Sequence, residues 1–252
     1  MPNRLNPLPL SSTLHFPPVR GSDGAIEVPP HLPDHPPFPV STRRHVLLDG
    51  ESVPIPFVRH VLTSIAQPML ESVHGPPVFT VDSDADDADP ASTRLVVVSN
   101  PLPFPNCVLV VSFDDRPDDE FETPAHGLIW ATSGSSLFEP LFDLDEPAGS
   151  PSDEHEPHSS ETLLTLPAFY LHVPFQHAWT QIHDFMYTRS PADLLDTLSI
   201  HIPTPTQHAR TIPSGAATPS SDQGDLLDQL EGLRQIYLTA VCLQLPDDVL
   251  VE

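Results

Sequence analysis

Residues 166–200 read LPAFYLHVPFQHAWTQIHDFMYTRSPADLLDTLSI and carry the strongest structural signals in the chain. Within and just before this stretch, an apolar run starts at Leu163 and is closed by Pro174. The length and aromatic content of this run predict a buried β-strand, although a helical turn has a similar apolar content. Pro174 suits the first turn of a helix, where the missing N–H leaves no hydrogen bond unmade.

Two helices are predicted after this proline, with a tight turn between them. From Phe175 to Met186 the apolar side chains recur every three or four residues, which predicts a helix with one buried face. Ser190, Pro191 and Asp193 are typical of a second helix start. The serine caps an early backbone N–H, the proline occupies the first position, and the aspartate lies near the positive end of the helix dipole.

A further amphipathic helix is predicted over about residues 225–244, with leucines at helical spacing. Apolar helix faces of this kind usually close a protein core, but they also serve as contact surfaces for partner proteins. The candidate interaction residues on these two faces are Trp179, Ile182, Phe185, Met186, Leu230 and Tyr237.

The order of these elements resembles the Clampless-type proteins of basidiomycete fungi. The residues that carry the resemblance are Tyr170, Leu171, His172, Pro174, Trp179, Ile182, His183, Phe185, Met186, Tyr187, Thr188, Arg189, Leu194 and Leu195. The stretch 230–243, followed by Leu-Pro-Asp-Asp, is similar to the final helix of that family. The resemblance covers the second half of the chain. It implies a regulator of sexual development that acts through protein contacts at the clamp-cell or dikaryon stage.

The Phe-Met-Tyr-Thr motif at 185–188 and the helix after it are also similar to the middle of a BTB/POZ domain. This second resemblance implies a self-associating adaptor protein. A homodimer with a large apolar interface would favour the adaptor, and a monomer would favour the developmental regulator. Both hypotheses describe a protein without catalytic activity.

Composition indicates that much of the chain lies outside a packed core. It has 252 residues, of which 34 are proline and 38% are hydrophobic, whereas proline usually makes up about 5% of a sequence. We expect a core from roughly half of the chain, interrupted by disordered segments. The predicted organisation is a disordered Pro-rich tail (1–43), the β-rich half of one α+β domain (44–142), an acidic linker (143–161), a strand–helix–helix unit (162–202), a Pro/Ser/Thr linker (203–222) and a C-terminal helix (223–252).

The first half of the chain supplies most of the predicted sheet. The expected elements are strands at 45–49, 78–81, 94–99, 107–113 and 128–133, a helix over 55–70 that Pro68 breaks or ends, and one helical turn at 136–142. The strands 94–99 and 107–113 are rich in β-branched residues and separated by a short connection, which favours a central antiparallel pair. The predicted fold class is α+β, with a small antiparallel sheet packed against helices.

The charge balance is strongly acidic, with 35 acidic residues, 10 basic residues and a net charge of −25. All the basic residues are arginine, and the absence of lysine excludes a P-loop or Schiff-base lysine. Such acidity argues against direct binding to nucleic acid or to an anionic membrane, and it favours a basic protein partner. It also promotes solubility.

Neither a secretory signal nor a membrane span is predicted. The N-terminal residues lack an apolar signal core, and no apolar run approaches the length of a spanning helix. We therefore expect an intracellular protein, in the nucleus or in the cytoplasm. Cys107 and Cys242 lie in apolar surroundings and are predicted to be buried free thiols.

No catalytic, cofactor-binding or metal-binding residue is predicted. The aspartates of 82–89 alternate as in a calcium loop, but the required glycine and the final glutamate are missing. His177 and His183 are six residues apart and point to different sides of a helix. No Gly-x-Ser-x-Gly motif is present. An uncharacterised enzyme is the third hypothesis, and it requires a pocket with convergent titratable groups.

Regulation by phosphorylation is a separate prediction. Ser-Pro and Thr-Pro dipeptides occur in the predicted linkers, where an added phosphate can recruit an Arg-rich partner. The candidate phosphorylation sites are Ser150, Thr204 and Thr218.

Overall fold

A computed structural model of the chain describes residues 3–9, 37, 39–74, 78–80, 93–98, 103–144, 162–197 and 221–246. The elements in chain order are β1 (Asn3–Arg4), β2 (His45–Leu48), β3 (Glu51–Pro54), α1 (Ile55–Ser64), α2 (Ala66–Val73), β4 (Val78–Thr80), β5 (Thr93–Val98), β6 (Cys107–Phe113), β7 (Glu120–Ala125), α3 (Gly127–Ala131), a 3-10 helix (Ser136–Asp143), β8 (Thr162–Val173), α4 (Gln176–Thr188), α5 (Pro191–Thr197) and α6 (Ser221–Cys242). The predicted α+β fold class is confirmed.

β8 is the central strand of the sheet, as its unbroken apolar run predicts. The strand order is β4-β5-β8-β6-β7, and β1 also pairs with β8. β5 is antiparallel to the first half of β8, whereas β6 and β1 are parallel to its second half. The sheet is therefore mixed rather than antiparallel. The predicted direct pairing of 94–99 with 107–113 is wrong because β8, from a later part of the chain, lies between these strands.

The sheet is strongly curled, because β4 at one end of the strand order also contacts β7 at the other end. Arg94 of β5 donates from Nε to Glu122 of β7 at 2.8 Å, although two strands separate β5 from β7. Arg94 also donates to the Tyr170 hydroxyl at 3.1 Å. In this ion pair Arg94 is buried and Glu122 is partly exposed. The curled side of the sheet has an apolar interior formed by Val96, Val98, Val108, Val110, Leu164, Leu166 and Ala168.

The opposite face of the sheet packs against the helices and forms the larger core. Residues that alternate with those of the curled interior, such as Leu109 and Val111 of β6 and Leu171 of β8, point to this side. The two tryptophans of the chain meet here. Trp130 of α3 stacks on Trp179 of α4, with ring centroids 5.1 Å apart and ring planes inclined by 16°. α4 is thus held between the sheet and its neighbouring helices.

The local predictions for the helices have mixed outcomes. The Ser190 hydroxyl accepts a hydrogen bond from the Asp193 N–H at 3.2 Å, as expected of an N-cap. The stretch 128–133 forms most of helix α3 rather than a strand, because a short buried apolar run suits either element. The helix predicted over 55–70 is interrupted at Ile65, whereas Pro68 lies inside α2, in its first turn, where proline is tolerated.

The helix boundaries around α4 also shift by a few residues. α4 begins at Gln176 with Phe175 as its N-cap, so Pro174 precedes the helix instead of occupying its first turn. It continues to Thr188, and Arg189 ends it in a left-handed conformation with φ of 51°. The tight turn, predicted at Tyr187–Arg189, therefore consists of Arg189 and Ser190.

Part of the predicted disordered tail belongs to the folded body. Leu5 is buried, and its N–H donates to the carbonyl of Tyr170 at 2.9 Å. The N–H of Leu8 donates to the carbonyl of Cys242 at 3.1 Å. Residues 3–9 therefore extend the edge of β8 and reach the end of α6. Cys107 and Cys242 are buried free thiols, as predicted, and burial raises the pKa of each to about 12.

Candidate functional site

The predicted interaction residues of α4 lie in the core. Trp179, Ile182 and Met186 are 0% exposed, and Phe185 is 3% exposed. α2, α3 and α6 all pack against α4 and cover the apolar face that the sequence pattern indicates. The structure therefore corrects the prediction that this face is a contact surface, because these four residues close the core instead.

The two predicted interaction residues of α6 are partly buried. α6 packs against α4 through a side that includes the buried Ile236 and Ala240. Leu230 and Tyr237 are partly exposed, so they are neither core residues nor a free surface. The candidate phosphorylation sites Ser150, Thr204 and Thr218 lie outside the described residues.

Helix α1 carries the apolar surface that the sequence pattern did not single out. Phe57 is 59% exposed, Val61 41% and Ile65, at the C-terminal end of the helix, 39%. These residues are spaced by four, so they share one side of the helix. We call Phe57, Val61 and Ile65 the α1 stripe. Three large exposed apolar residues on one helix side are typical of a contact surface for another protein.

The other side of α1 fixes the helix on the body of the protein. Ile55, Val58 and Leu62 are buried. Arg59 adds a polar tie, because its Nε donates to the carbonyl of Thr132, the residue after α3. The hairpin β2–β3 leads directly into α1, and its turn at Asp49-Gly50 has positive φ at both residues, as a tight two-residue hairpin requires. The α1 stripe is thus presented on a firmly anchored helix.

A buried polar cluster lies between β7, α2 and α4. His126 follows β7, and its Nδ1 lies 3.3 Å from the Tyr187 hydroxyl of α4. Its Nε2 lies 3.4 Å from the Ser72 hydroxyl of α2 and 3.3 Å from the carbonyl of Pro103. Burial lowers the pKa of His126 to about 4 and raises the pKa of Tyr187. Both groups are therefore neutral at physiological pH and connect the helices as hydrogen-bonding partners.

A second polar group links the end of α2 to α4. Asp184 Oδ1 lies 2.9 Å from His74 Nε2 and 3.3 Å from His183 Nδ1. Burial lowers the pKa of His183, even though Asp184 opposes this. Burial alone would raise the pKa of Asp184, but hydrogen bonds with His183 and His74 lower it overall. Asp184 is therefore a carboxylate that two imidazole rings share.

A third group consists of Ser112, His172 and Asp114, which line a cavity of about 660 Å³. Ser112 Oγ lies 2.9 Å from His172 Nδ1, and His172 Nε2 lies 2.7 Å from Asp114 Oδ1. The register of the parallel strands β6 and β8 produces this arrangement, because Ser112 is paired directly with His172. Sequence motifs did not reveal it, since the residues come from strands that are far apart in the chain.

Two features of this group differ from a serine hydrolase centre. His172 and Asp114 are 55% and 64% exposed, so water competes for their hydrogen bond. The backbone N–H groups of Asp114 and Asp115 donate to the carbonyls of Val173 and Pro174. These two donors are therefore already used and do not stabilise an oxyanion.

Within the described part of the chain, no helix combines the length and the apolar character needed to cross a membrane. Comparison with known proteins found no matching family model, no matching curated protein and no matching solved structure.

Proposed function

We propose that this chain is a non-enzymatic regulator of sexual development in a basidiomycete fungus, acting through protein contacts at the clamp-cell or dikaryon stage. The observation that carries the contact function is the α1 stripe, an exposed apolar surface on an anchored helix. The developmental role is supported by the resemblance of the second half of the chain to Clampless-type proteins.

The resemblance and the α1 stripe concern different parts of the molecule. Residues that carry the resemblance, such as Trp179, His183 and Tyr187, are buried around α4. A likeness of buried residues indicates how α4 packs on the sheet, so it supports a shared fold more directly than a shared partner. The α1 stripe supplies the surface that this packing leaves accessible.

The chemistry of the expected partner follows from the stripe and the charge. Phe57, Val61 and Ile65 require an apolar face on the partner, such as one side of an amphipathic helix. The net charge of −25 attracts a partner with basic residues around that face. We therefore expect a basic protein with an exposed apolar helix face.

The proposal is tested by Phe57→Asp/Val61→Asp, introduced into a fungal strain that lacks the native gene. Two carboxylates in the α1 stripe are expected to abolish binding of a basic, apolar partner and to prevent clamp-cell formation after mating. The matched control is Leu163→Asp, since Leu163 is 58% exposed on the outer side of the sheet. This control is expected to restore clamp cells, and thermal unfolding of both purified variants should match the wild type.

Normal clamp cells in the stripe variant would contradict the proposed contact, and absence of any mating defect in the deletion strain would contradict the developmental role. Sedimentation velocity distinguishes the BTB-like adaptor from the developmental regulator. A homodimer in the wild type that dissociates in the stripe variant would favour the self-associating adaptor, whereas a monomer favours the regulator.

A serine hydrolase is the second candidate, because Ser112, His172 and Asp114 form a hydrogen-bonded group that lines a cavity of about 660 Å³. A fluorophosphonate probe distinguishes the two functions. Covalent labelling of the wild type that is lost in Ser112→Ala would establish the hydrolase. The proposed regulator is expected to give no labelling, as the exposure of His172 and Asp114 indicates.

A further inference from the structure

We propose that His74, His183 and Asp184 form a binding site for Zn²⁺ that joins the end of α2 to α4. The site is independent of the α1 stripe and of the proposed developmental role. It contains two imidazole nitrogens and one carboxylate oxygen, all within 4.8 Å of one another. Histidine and aspartate are ordinary zinc ligands, and three protein ligands with one open position are common for this ion.

The distances are close to those of a tetrahedral site. Zinc lies about 2.0–2.1 Å from nitrogen or oxygen ligands, which places two ligand atoms about 3.3 Å apart. Asp184 Oδ1 is 2.9 Å from His74 Nε2 and 3.3 Å from His183 Nδ1. His74 is half exposed and follows the last residue of α2, so its ring is free to adjust its position when an ion binds. The third pair of ligand atoms, on His74 and His183, lies within 4.8 Å, so binding draws these two rings together.

The surroundings of His183 Nε2 bear on which ring nitrogen is free to bind an ion. Its side chain is 5% exposed, and its Nε2 has no hydrogen-bond partner among the described residues. The ring lies among aromatic neighbours, with centroids 5.9 Å from Trp130, 6.0 Å from Trp179 and 5.2 Å from Tyr187. An N–H group pointing at aromatic rings is weakly favourable, whereas a lone pair in this position is unpaired.

Neither neutral form of His183 is satisfied without an ion. With the proton on Nδ1, His183 donates to Asp184, and Nε2 keeps a buried lone pair without a donor. With the proton on Nε2, the ring edge suits its aromatic neighbours, but the Nδ1 lone pair faces the Asp184 carboxylate. Leaving a buried polar group unsatisfied costs about 1–3 kcal/mol. In the second form, a cation bound between His183 Nδ1 and the Asp184 carboxylate removes the repulsion between the lone pair and the carboxylate. The proton then stays on Nε2.

The environment favours zinc over the common hard cations. Calcium and magnesium prefer sets of oxygen ligands, whereas imidazole nitrogens suit zinc and related transition metals. His74 and Asp184 are 51% and 42% exposed, so the ion is reached from solvent and a water molecule can occupy the fourth position. The buried His183 fixes the inner side of the site. Binding would then hold α2 against α4 from the surface.

The test is a calorimetric titration of the full chain, stripped of metal with a chelator, with zinc chloride at neutral pH. His155 and His158 are replaced by alanine in every sample, since histidines elsewhere in the chain also bind zinc. We expect one ion per chain. His74→Ala and Asp184→Asn are each expected to weaken binding at least about tenfold. The matched control, His177→Ala, removes an exposed histidine from the same helix and is expected to bind as the wild type does.

A second measurement replaces Zn²⁺ by Co²⁺, whose visible absorption reports a tetrahedral site with nitrogen ligands. The bands are expected in the wild type and in His177→Ala but not in His74→Ala. Because His74 and Asp184 are partly exposed, both variants are expected to fold, which thermal unfolding without metal will verify. Absence of binding in the wild type, or equal affinity in His74→Ala and Asp184→Asn, would overturn the proposal.

Discussion

Helices α1 and α4 have the same kind of sequence pattern but opposite surroundings. In α4 the apolar stripe that includes Trp179 and Ile182 is fully buried. In α1 one apolar side, with Val58 and Leu62, is buried, while Phe57 on another side is 59% exposed. The difference arises because several elements surround α4, whereas α1 packs on the protein from one direction. An apolar stripe therefore predicts burial only where the fold supplies enough neighbours.

The largest expected contrast is between Trp179→Ala and Phe57→Ala. Removing a fully buried aromatic ring that stacks on Trp130 leaves a cavity, and we expect the free energy of unfolding to fall by about 3–5 kcal/mol. Phe57→Ala is expected to change it by less than about 1 kcal/mol. Urea denaturation measures both values. Similar losses in the two variants would show that α1 and α4 are not as different as the structure indicates.

Acid is expected to act on the α4 region through His126. Its pKa is about 4 in the folded protein and about 6.5 in the unfolded chain, so the unfolded chain binds the proton more readily between these values. The free energy of unfolding should therefore fall as the pH falls from about 6.5 to 4, by at most about 1.4 kcal/mol per pH unit.

His126→Gln is expected to reduce this pH dependence, while His177→Gln, at an exposed position of α4, is expected to leave it unchanged. Urea denaturation at several pH values provides the comparison. An unaltered slope in His126→Gln would assign the acid sensitivity to other groups, of which the buried His183 is the first to consider because burial also lowers its pKa.

A smaller loss of stability is expected at the start of α5, where the N-cap depends only on residues close together in the sequence. The Ser190 hydroxyl accepts from the Asp193 N–H, and Ser190→Ala is expected to cost about 1 kcal/mol in the free energy of unfolding. Ser190→Asp retains an acceptor and serves as the control. Equal destabilisation by both substitutions would indicate that the cap contributes little and that α5 depends on its packing.

The smallest effect on stability is expected for Phe57→Ser, which removes an apolar side chain from the α1 stripe. Because most of the ring is already in water, the free energy of unfolding should change by about 0.5 kcal/mol or less. A loss comparable to that of Trp179→Ala would show that the stripe is covered in solution, for example by a second copy of the chain. Sedimentation velocity of the same sample would detect that copy.

The polar groups show why sites were harder to predict than elements. Ser112 and His172 become neighbours only through the register of β6 and β8, and His74 reaches Asp184 across 110 positions of sequence. No motif of fixed spacing links such residues. His177 and His183 lie on different sides of one helix, whereas the histidine that shares Asp184 with His183 is His74, just after α2.

Interactions between residues close in sequence were sufficient to predict several helices and strands. The β-branched and aromatic runs of β6 and β8 favour extended backbone, the spacing in α4 favours a helix, and Ser190 with Pro191 starts α5. These features depend on neighbours a few residues away, so the sequence alone determined them. The same local reasoning failed for 128–133, where an apolar run without periodicity fits a strand or the helix that forms there.

Tertiary structure decided what each apolar face contacts. β8 separates β5 from β6 because it is long enough to pair with each of them along a different half. The curl of the sheet then encloses one apolar layer, and the helices cover the other around Trp130 and Trp179. Burial depends on how many elements converge on a side chain, which is a property of the whole fold. For that reason the apolar side of α4 is part of the core, whereas the exposed apolar side of α1 is the candidate contact surface.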